Sequence, residues 1–326
     1  MIDFRARERH FVDHLAPLWH ALGDVRGRFW IEEGRGLTLA YARNAGILDA
    51  EPAPKDLPVT ATVAVASWGD LKRTHGPAVL LNHGSGQTYV NVRDSGEASY
   101  SGGPGRDRVI LFLEPNEYAA GASRATYPQA RTEVVGCPKL DELAMVPRPE
   151  NPAPIVAFSW HFDCGQIAPE ATLAFAHFKK AIPTVSRRFR TLGHAHPKLQ
   201  SSLDAFYEHN GIEVVRDFVD VVARADVYVC DNSSTLFEFA ALDRPVVVLD
   251  APWYRTNVEH GLRFWSHADV GVRIDNPRRL LWAVRQAIED APDVAARRRE
   301  LAADVFPHVG TATERAAAAI REVIGA

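Results

Sequence analysis

The chain is predicted to be an α/β protein made of two Rossmann-like halves, each an open parallel sheet flanked by helices. Three observations predict this. Short apolar, β-rich runs alternate with helical patterns along its 326 residues, which is the pattern of βαβ units. That length exceeds what one hydrophobic core usually organises, so two domains of roughly 150 residues are expected. A proline-dense stretch, Pro147-Arg148-Pro149-Glu150-Asn151-Pro152-Ala153-Pro154, then interrupts the alternation near the middle. Four prolines in eight residues continue neither a helix nor a central strand. The expected domains are therefore 1–147 and 148–326.

In the first half, residues 3–22 carry Phe4, Phe11, Leu15, Leu18 and Leu22 at roughly helical spacing, so a helix is expected there. Arg28–Ile31 reads as a strand, Val59–Val65 as an alternating strand and Gly69–Thr74 as a short helix. Pro77–Leu81 is a buried strand running straight into Asn82-His83-Gly84-Ser85-Gly86. Arg93–Arg106, rich in Gly, Ser and charge, reads as a loop. Val109–Leu113 is a strand, Glu117–Ala125 a helix, and Thr132–Val135 a strand that ends in Gly136-Cys137-Pro138.

The second half restarts with the strand Ile155–Phe158, followed by an amphipathic helix over Pro169–Lys180. Phe189–Leu192 is a strand ahead of Gly193-His194-Ala195-His196-Pro197, and Val214-Val215 and Val227–Cys230 continue the sheet. Asp231-Asn232-Ser233-Ser234-Thr235 separates that last strand from the helical Leu236–Leu242, and Val246–Leu249 is the next strand. Leu280–Ile288, Ala295–Val305 and Thr313–Ile324 are helices.

Composition narrows the function. A net charge of −4 argues against a general nucleic-acid binder, which is normally basic. Three widely spaced cysteines without a CxxC pair suggest neither a disulfide framework nor a zinc site and fit a reducing cytoplasm. No apolar run approaches the roughly 18 residues of a spanning helix. Asp-x-Asp, HExxH and GxxxxGK[ST] patterns are absent, and Gly102-Gly103-Pro104-Gly105 precedes a strand rather than following one. Metal: none and cofactor: none are the resulting expectations. Charge at a leaving group would then be neutralised by helix N-termini, histidines and arginines. The Arg187-Arg188-Phe189-Arg190 cluster is either such a contributor or a solvated basic face.

Loops that follow strands carry the candidate chemistry. His83 stands directly after an apolar strand, with Gly84, Ser85 and Gly86 beside it. Its imidazole titrates near neutrality and suits it to accept a proton from an attacking hydroxyl; the alternative is a histidine that bonds within a tight turn. His196, drawn into an extended conformation by Pro197, is placed to donate to a phosphate or a departing nucleotide. Ser233, Ser234 and Thr235 mark a helix start whose orphan N–H groups suit a phosphate, or form an ordinary cap. Glu238, one turn on, either bonds ribose hydroxyls or reaches back to the loop. Ser159-Trp160-His161, after the strand that opens the second half, is a further donor-side wall or, for Trp160, plain core.

The line Ala225-Asp226-Val227-Tyr228-Val229-Cys230-Asp231-Asn232-Ser233-Ser234, followed by Phe237-Glu238-Phe239-Ala240-Ala241-Leu242 and Arg244-Pro245, resembles the donor-site signature of CDP-glycerol glycerophosphotransferases, the GT-B-fold enzymes of teichoic acid synthesis. His83-Gly84 resembles that family's catalytic His-Gly loop and His196-Pro197 its His-Pro. Val135-Gly136-Cys137-Pro138-Lys139-Leu140-Asp141 resembles its Gly-x-Pro-x-x-Asp turn. The matches occur in the family's order.

The resemblance implies an acceptor domain over 1–147 and a nucleotide-donor domain over 148–326, facing across a cleft. It implies transfer of glycerophosphate, or a related polyol phosphate, from a CDP-linked donor to an acceptor hydroxyl, with release of CMP. His83 would be the base; His196 and the Ser233–Thr235 helix start would stabilise CMP; Ser159, His161, Pro197 and Glu238 would line the donor side; Gly84, Ser85 and Gly86 would form the acceptor-side loop. The acceptor would be a cell-envelope glycan or a polyol phosphate polymer. The expected location is cytoplasmic, with at most peripheral contact at the inner face of the membrane. The sequence departs from the family pattern where Ser85-Gly86-Gln87-Thr88 replaces a run into Thr-Pro, where Glu238 stands for an aspartate, and at Ser159-Trp160-His161. A UDP- or GDP-sugar glycosyltransferase or epimerase of the same fold is the alternative.

Overall fold

A computed structural model of the chain describes all residues except 35–36, 86–89, 92–96, 99–105, 166–170 and 256–262. Gly86, the Gln87-Thr88 pair, much of the loop expected over 93–106, the glycine run at 102–105 and the start of the helix expected at Pro169 lie outside the described residues. The chain forms two compact units. The first comprises Met1–Gly86, Tyr100–Glu142 and Pro307–Ala326; the second comprises Gln87–Ser99 and Leu143–Phe306.

The first unit is built on β1 (Ile2–Ala6), β2 (Arg26–Ile31), β3 (Glu51–Pro52), β4 (Val63–Val65) and β5 (Ala78–Leu81). After β6 (Val90–Asn91) and β7 (Glu97–Ala98), which pair only with each other, it continues with β8 (Val109–Glu114) and β9 (Arg131–Val134). Its strands run parallel in the order β3-β2-β1-β4-β5-β8-β9. Helices α1 (Arg9–Leu22), α2 (Leu39–Asn44), α3 (Trp68–Leu71) and α4 (Glu117–Thr126) connect them, and α5 (Pro138–Ala144) follows β9.

One helix expected from the sequence divides in two here. Residues 3–22 are not continuous: Ile2, Phe4 and Ala6 alternate into the core as β1, and the chain turns at an extended Glu8 before α1 begins. The helical spacing of the apolar residues after Glu8 masked a period of two before it.

The second unit holds β10 (Ile155–Ser159), β11 (Arg190–Gly193), β12 (Glu213–Val214), β13 (Val227–Cys230), β14 (Val246–Leu249) and β15 (Val272–Ile274). They form a parallel sheet in the order β12-β11-β10-β13-β14-β15. Its helices are α6 (Phe175–Phe178), α7 (Ile182–Ser186), α8 (Pro197–His209), α9 (Phe218–Arg224), α10 (Ser234–Ala241), α11 (Leu280–Glu289) and α12 (Pro292–Val305). The amphipathic helix expected to Lys180 is reduced to the single turn α6 among the described residues. The Ala171 carbonyl accepts from the Cys164 N–H at 3.3 Å and the Leu173 N–H donates to Asp163 at 3.3 Å, so this backbone bonds to the 163–164 loop instead.

Both sheets are covered on two faces, as parallel sheets require, and β10, β13 and β14 are buried throughout. The last helix, α13 (Ala312–Ile324), does not stay with the second unit. Its Ala316, Ala317, Ala319 and Ile320 share a core with Leu15, Ala16 and Trp19 of α1. The first unit therefore closes with residues that follow the second in sequence, and the division after residue 142 precedes the proline-rich stretch.

Candidate active site

In the second unit, register decides which loops become neighbours. Phe158 pairs with Gly193, and Ser159 with Cys230, so β10, β11 and β13 end at the same edge. The loops at 160–161, 194–196 and 231–233 therefore emerge side by side at the carboxyl edge, where open α/β sheets bind ligands.

His196 is the N-cap of α8, with Pro197 at the first helical position. It has φ −52° and ψ 139°, and its Nδ1 accepts from the Lys198 N–H at 3.2 Å. That bond leaves the proton of the neutral ring on Nε2. The ring lies 4.6 Å from Phe162 and 5.6 Å from His161, centroid to centroid, and the Lys198 ammonium sits 4.5 Å over Phe162. His161 donates from Nδ1 to the Phe162 carbonyl at 2.8 Å, so its neutral form presents a lone pair at Nε2. The residue is half-buried; burial, reinforced by Lys198, pushes its pKa down to about 4, and the ring is neutral at pH 7.

Ser233 caps α10, accepting from the Thr235 N–H at 3.4 Å. The Thr235 hydroxyl meets Ser233 Oγ at 2.9 Å and the Tyr228 hydroxyl at 2.8 Å, so it is held inside the unit. Ser234 is half-buried, whereas Glu238 is 2% exposed. Ser159 is also buried and is bonded to His194 Nδ1 at 2.8 Å; the Tyr207 hydroxyl fixes the His194 carbonyl. Of the His194–His196 pair, His194 belongs to the interior. Trp160 is core, fully buried. Arg187 and Arg188 are exposed, and Arg190 opens β11, at the opposite end of the strand from His196, where it pairs with Glu213. The arginine cluster is the solvated face.

Sequence reasoning passed over Asp231 as a site residue. It is fully buried and receives the His161 N–H at 2.8 Å, with the Tyr254 hydroxyl at 3.5 Å. Desolvation outweighs these donors and pushes its pKa up to about 7. An acid directly after a buried strand was the available signal; nothing in the sequence pointed to Tyr254.

In the first unit, His83 follows β5 and is exposed. Its ring meets Phe11 edge-on at 4.9 Å, with His10 at 5.7 Å and His14 at 6.0 Å. His14 is buried, and desolvation, with Lys139 and His83 nearby, holds it well below the usual histidine range. Both flanks of His83 are anchored. Asn82 donates to Glu114 at 2.9 Å, and Ser123 donates to the other oxygen of Glu114 at 2.6 Å. The buried Ser85 gives its carbonyl to Asn116, the N-cap of α4, at 2.9 Å. Gly84 between them has φ +68°, a conformation that favours glycine. Burial raises the Glu114 pKa. No group of three or more His, Cys, Asp or Glu side chains suited to a metal ion occurs among the described residues.

Two parallel α/β sheets with polar loops at their carboxyl edges define the GT-B class of fold. Residues 169–322 match the model of the CDP-glycerol:poly(glycerophosphate) glycerophosphotransferase family. The matched stretch contains His196, Pro197, Ser233–Thr235 and Glu238; Ser159, His161 and His83 precede it.

A histidine-to-asparagine variant of the wall teichoic acid polymerase TagF soaked with CDPG has a similar structure. The two share 12% identity with a TM-score of 0.66, covering 99% of this chain and 88% of that one. The Staphylococcus aureus MnaA–UDP structure is similar at 14% identity and a TM-score of 0.62, covering 99% and 96%. The UDP-GlcNAc 2-epimerase from Neisseria meningitidis bound to UDP-GlcNAc follows at 12% and 0.59, covering 99% of each chain. These likenesses show the fold. No protein of curated function matches the chain by sequence.

Proposed function

We propose that the chain is a metal-independent transferase that moves glycerophosphate, or a related polyol phosphate, from a CDP-linked donor to an acceptor hydroxyl and releases CMP. The observation that carries this reading is the joint emergence of His161, His196 and the Ser233 cap from three aligned strand ends of the second unit, the latter two within the family-matched stretch. An Nε2–H donor and a capped helix start then stand at one sheet edge, the arrangement a departing phosphate needs.

In this reading His83 takes the proton of the acceptor hydroxyl as its oxygen attacks the β-phosphorus. The bond from the β-phosphorus to the bridging oxygen breaks, and CMP leaves with that oxygen and the bond's electron pair. His196 donates to the developing charge. Positioning and charge neutralisation supply most of the rate, as in phosphoryl transfer generally. Ser159 and Glu238, both buried, act by positioning: Ser159 orients His194, and Glu238 lies on the buried side of α10. The acceptor is a polyol phosphate polymer or a cell-envelope glycan, and the location is cytoplasmic with peripheral contact at the inner membrane face. In support, no described helix is long and apolar enough to cross a membrane.

The test is product analysis with CDP-glycerol, UDP-GlcNAc and a GDP-sugar offered separately. CMP release from CDP-glycerol alone supports the reading. Release of a nucleoside diphosphate, or inversion of a sugar at C2, replaces it with the glycosyltransferase or epimerase alternative.

A further inference from the structure

The first sheet reverses its strand order between β1 and β4: β2 and β3 extend one way from β1, while β5, β8 and β9 extend the other from β4. Such a switch point opens a crevice at the carboxyl ends of the two strands, where ligands of open α/β sheets bind. Two arginines stand there. Arg5 is the penultimate residue of β1, and Arg7 follows its end. Arg5 is 1% exposed and is spoken for on one side, bonding Glu32 at 2.7 Å and the Pro54 carbonyl at 3.1 Å.

The facing atoms are poorly matched. Arg5 Nε and Arg7 Nε each lie 4.0 Å from Asp70 Oδ1, and all three atoms are buried without a hydrogen bond. The other Asp70 oxygen is occupied by the Ser67 hydroxyl at 2.6 Å. A carboxylate at that range does not satisfy two guanidinium groups, and its burial pushes its pKa up to about 7, which weakens the compensation further. The Arg7 side chain keeps about a third of its surface in solvent. Its guanidinium lies against Gly69: a Cβ there would fall 1.8 Å from Nη2 and 2.1 Å from Cζ. The backbone is bare at the one place where the arginine needs to rest.

We propose that Arg7, seated on Gly69 with Arg5 behind it, binds a phosphate group of the acceptor. A planar guanidinium with five donors matches the oxygens of a phosphate mono- or diester in pairs. The acceptor, rather than the donor, is indicated by the company this arginine keeps. It lies in the unit that carries His83, at the same sheet edge, two strands from β5, and hence about 10 Å away at the usual strand spacing. An arginine stem and a short polyol phosphate bridge that span, which puts the polyol's far hydroxyl at the imidazole. The assignment deepens the transferase reading by giving the acceptor a phosphate one unit back from its reacting hydroxyl.

The experiment is calorimetric titration of the full chain with glycerol 3-phosphate, with glycerol and with CMP. It compares the wild type with Arg7→Met and Gly69→Ala, each checked for an unchanged circular dichroism spectrum. The wild type is expected to bind glycerol 3-phosphate and not glycerol. Arg7→Met loosens glycerol 3-phosphate at least tenfold and leaves CMP affinity within twofold. Gly69→Ala does the same while retaining the arginine, because its new methyl displaces the guanidinium. Unchanged glycerol 3-phosphate affinity in Arg7→Met, parallel loss of CMP affinity, or no glycerol 3-phosphate binding by the wild type each overturns the proposal. CMP release from CDP-glycerol is measured alongside. Its absence with an Arg7-dependent phosphate site intact removes the transferase reading alone.

Discussion

The His-Gly loop of the first unit and the His-Pro loop of the second start from one plan and are held in different ways. Each puts an imidazole directly beyond a buried parallel strand. His83 is packed by rings, with Phe11 edge-on at 4.9 Å, and its neighbours Asn82 and Ser85 are bonded to Glu114 and Asn116. His196 is fixed through a ring nitrogen, because its Nδ1 caps α8. The difference teaches how one side-chain type is directed to two tasks. A ring seated by packing is suited to gain a proton; a ring whose Nδ1 already accepts is left to donate from Nε2.

That contrast breaks most sharply at His83. Replacement by alanine is expected to lower kcat by about 10²- to 10⁴-fold, the usual contribution of a positioned base, with CMP affinity unchanged by titration. An unaltered kcat removes the base assignment. His196 is to be read as a pair of variants. His196→Ala loses both the cap, typically ~1 kcal/mol, and the donor, about 10²-fold or more in kcat. His196→Asn, a good capping residue, is expected to restore the melting temperature and not the rate. Recovery of both would reduce His196 to a cap.

The buried acids carry the comparison into pH. Asp231 in the second unit and Asp70 in the first are each raised to about 7 by desolvation, against roughly 3.9 in an unfolded chain. Between those values the folded protein holds protons that the unfolded chain releases. Stability therefore falls as pH rises from about 4 to 7 and levels off above. Asp231→Asn is expected to flatten part of that slope, on the order of a few kcal/mol across the window, as read by urea unfolding at several pH values. An identical slope in the variant would contradict the raised value.

Glu114→Ala strands the Asn82 and Ser123 donors and should cost about 1–3 kcal/mol. It should also lower kcat through a loosened His83. Gly84→Ala is the mildest change, about 1 kcal/mol from the positive φ, measured by thermal unfolding.

Much of this architecture was legible because parallel strands buried on both faces, such as Val246–Leu249, announce themselves as apolar runs. Ser233 was readable as a cap because a hydroxyl before an apolar helix has one common use. Other features were hidden for physical reasons. The period of two in Ile2–Ala6 is too short to outweigh the helical spacing behind it. The Glu114 tether joins residues 32 positions apart from Asn82, which no local pattern records. Arg5, a charged residue in a buried strand, contradicts the sequence rule that strands of this kind are apolar; it becomes intelligible only once the strand order is known.

The return of α13 to α1 has a practical consequence. No single cut can part this protein into its two bodies, because the stretch that completes the first follows the whole of the second in sequence. A chain shortened by its final twenty residues would leave Leu15 and Trp19 uncovered and should damage the half that bears His83, at the far end of the sequence from the deletion. Recombining halves between related enzymes therefore calls for three pieces, with the tail exchanged together with the beginning.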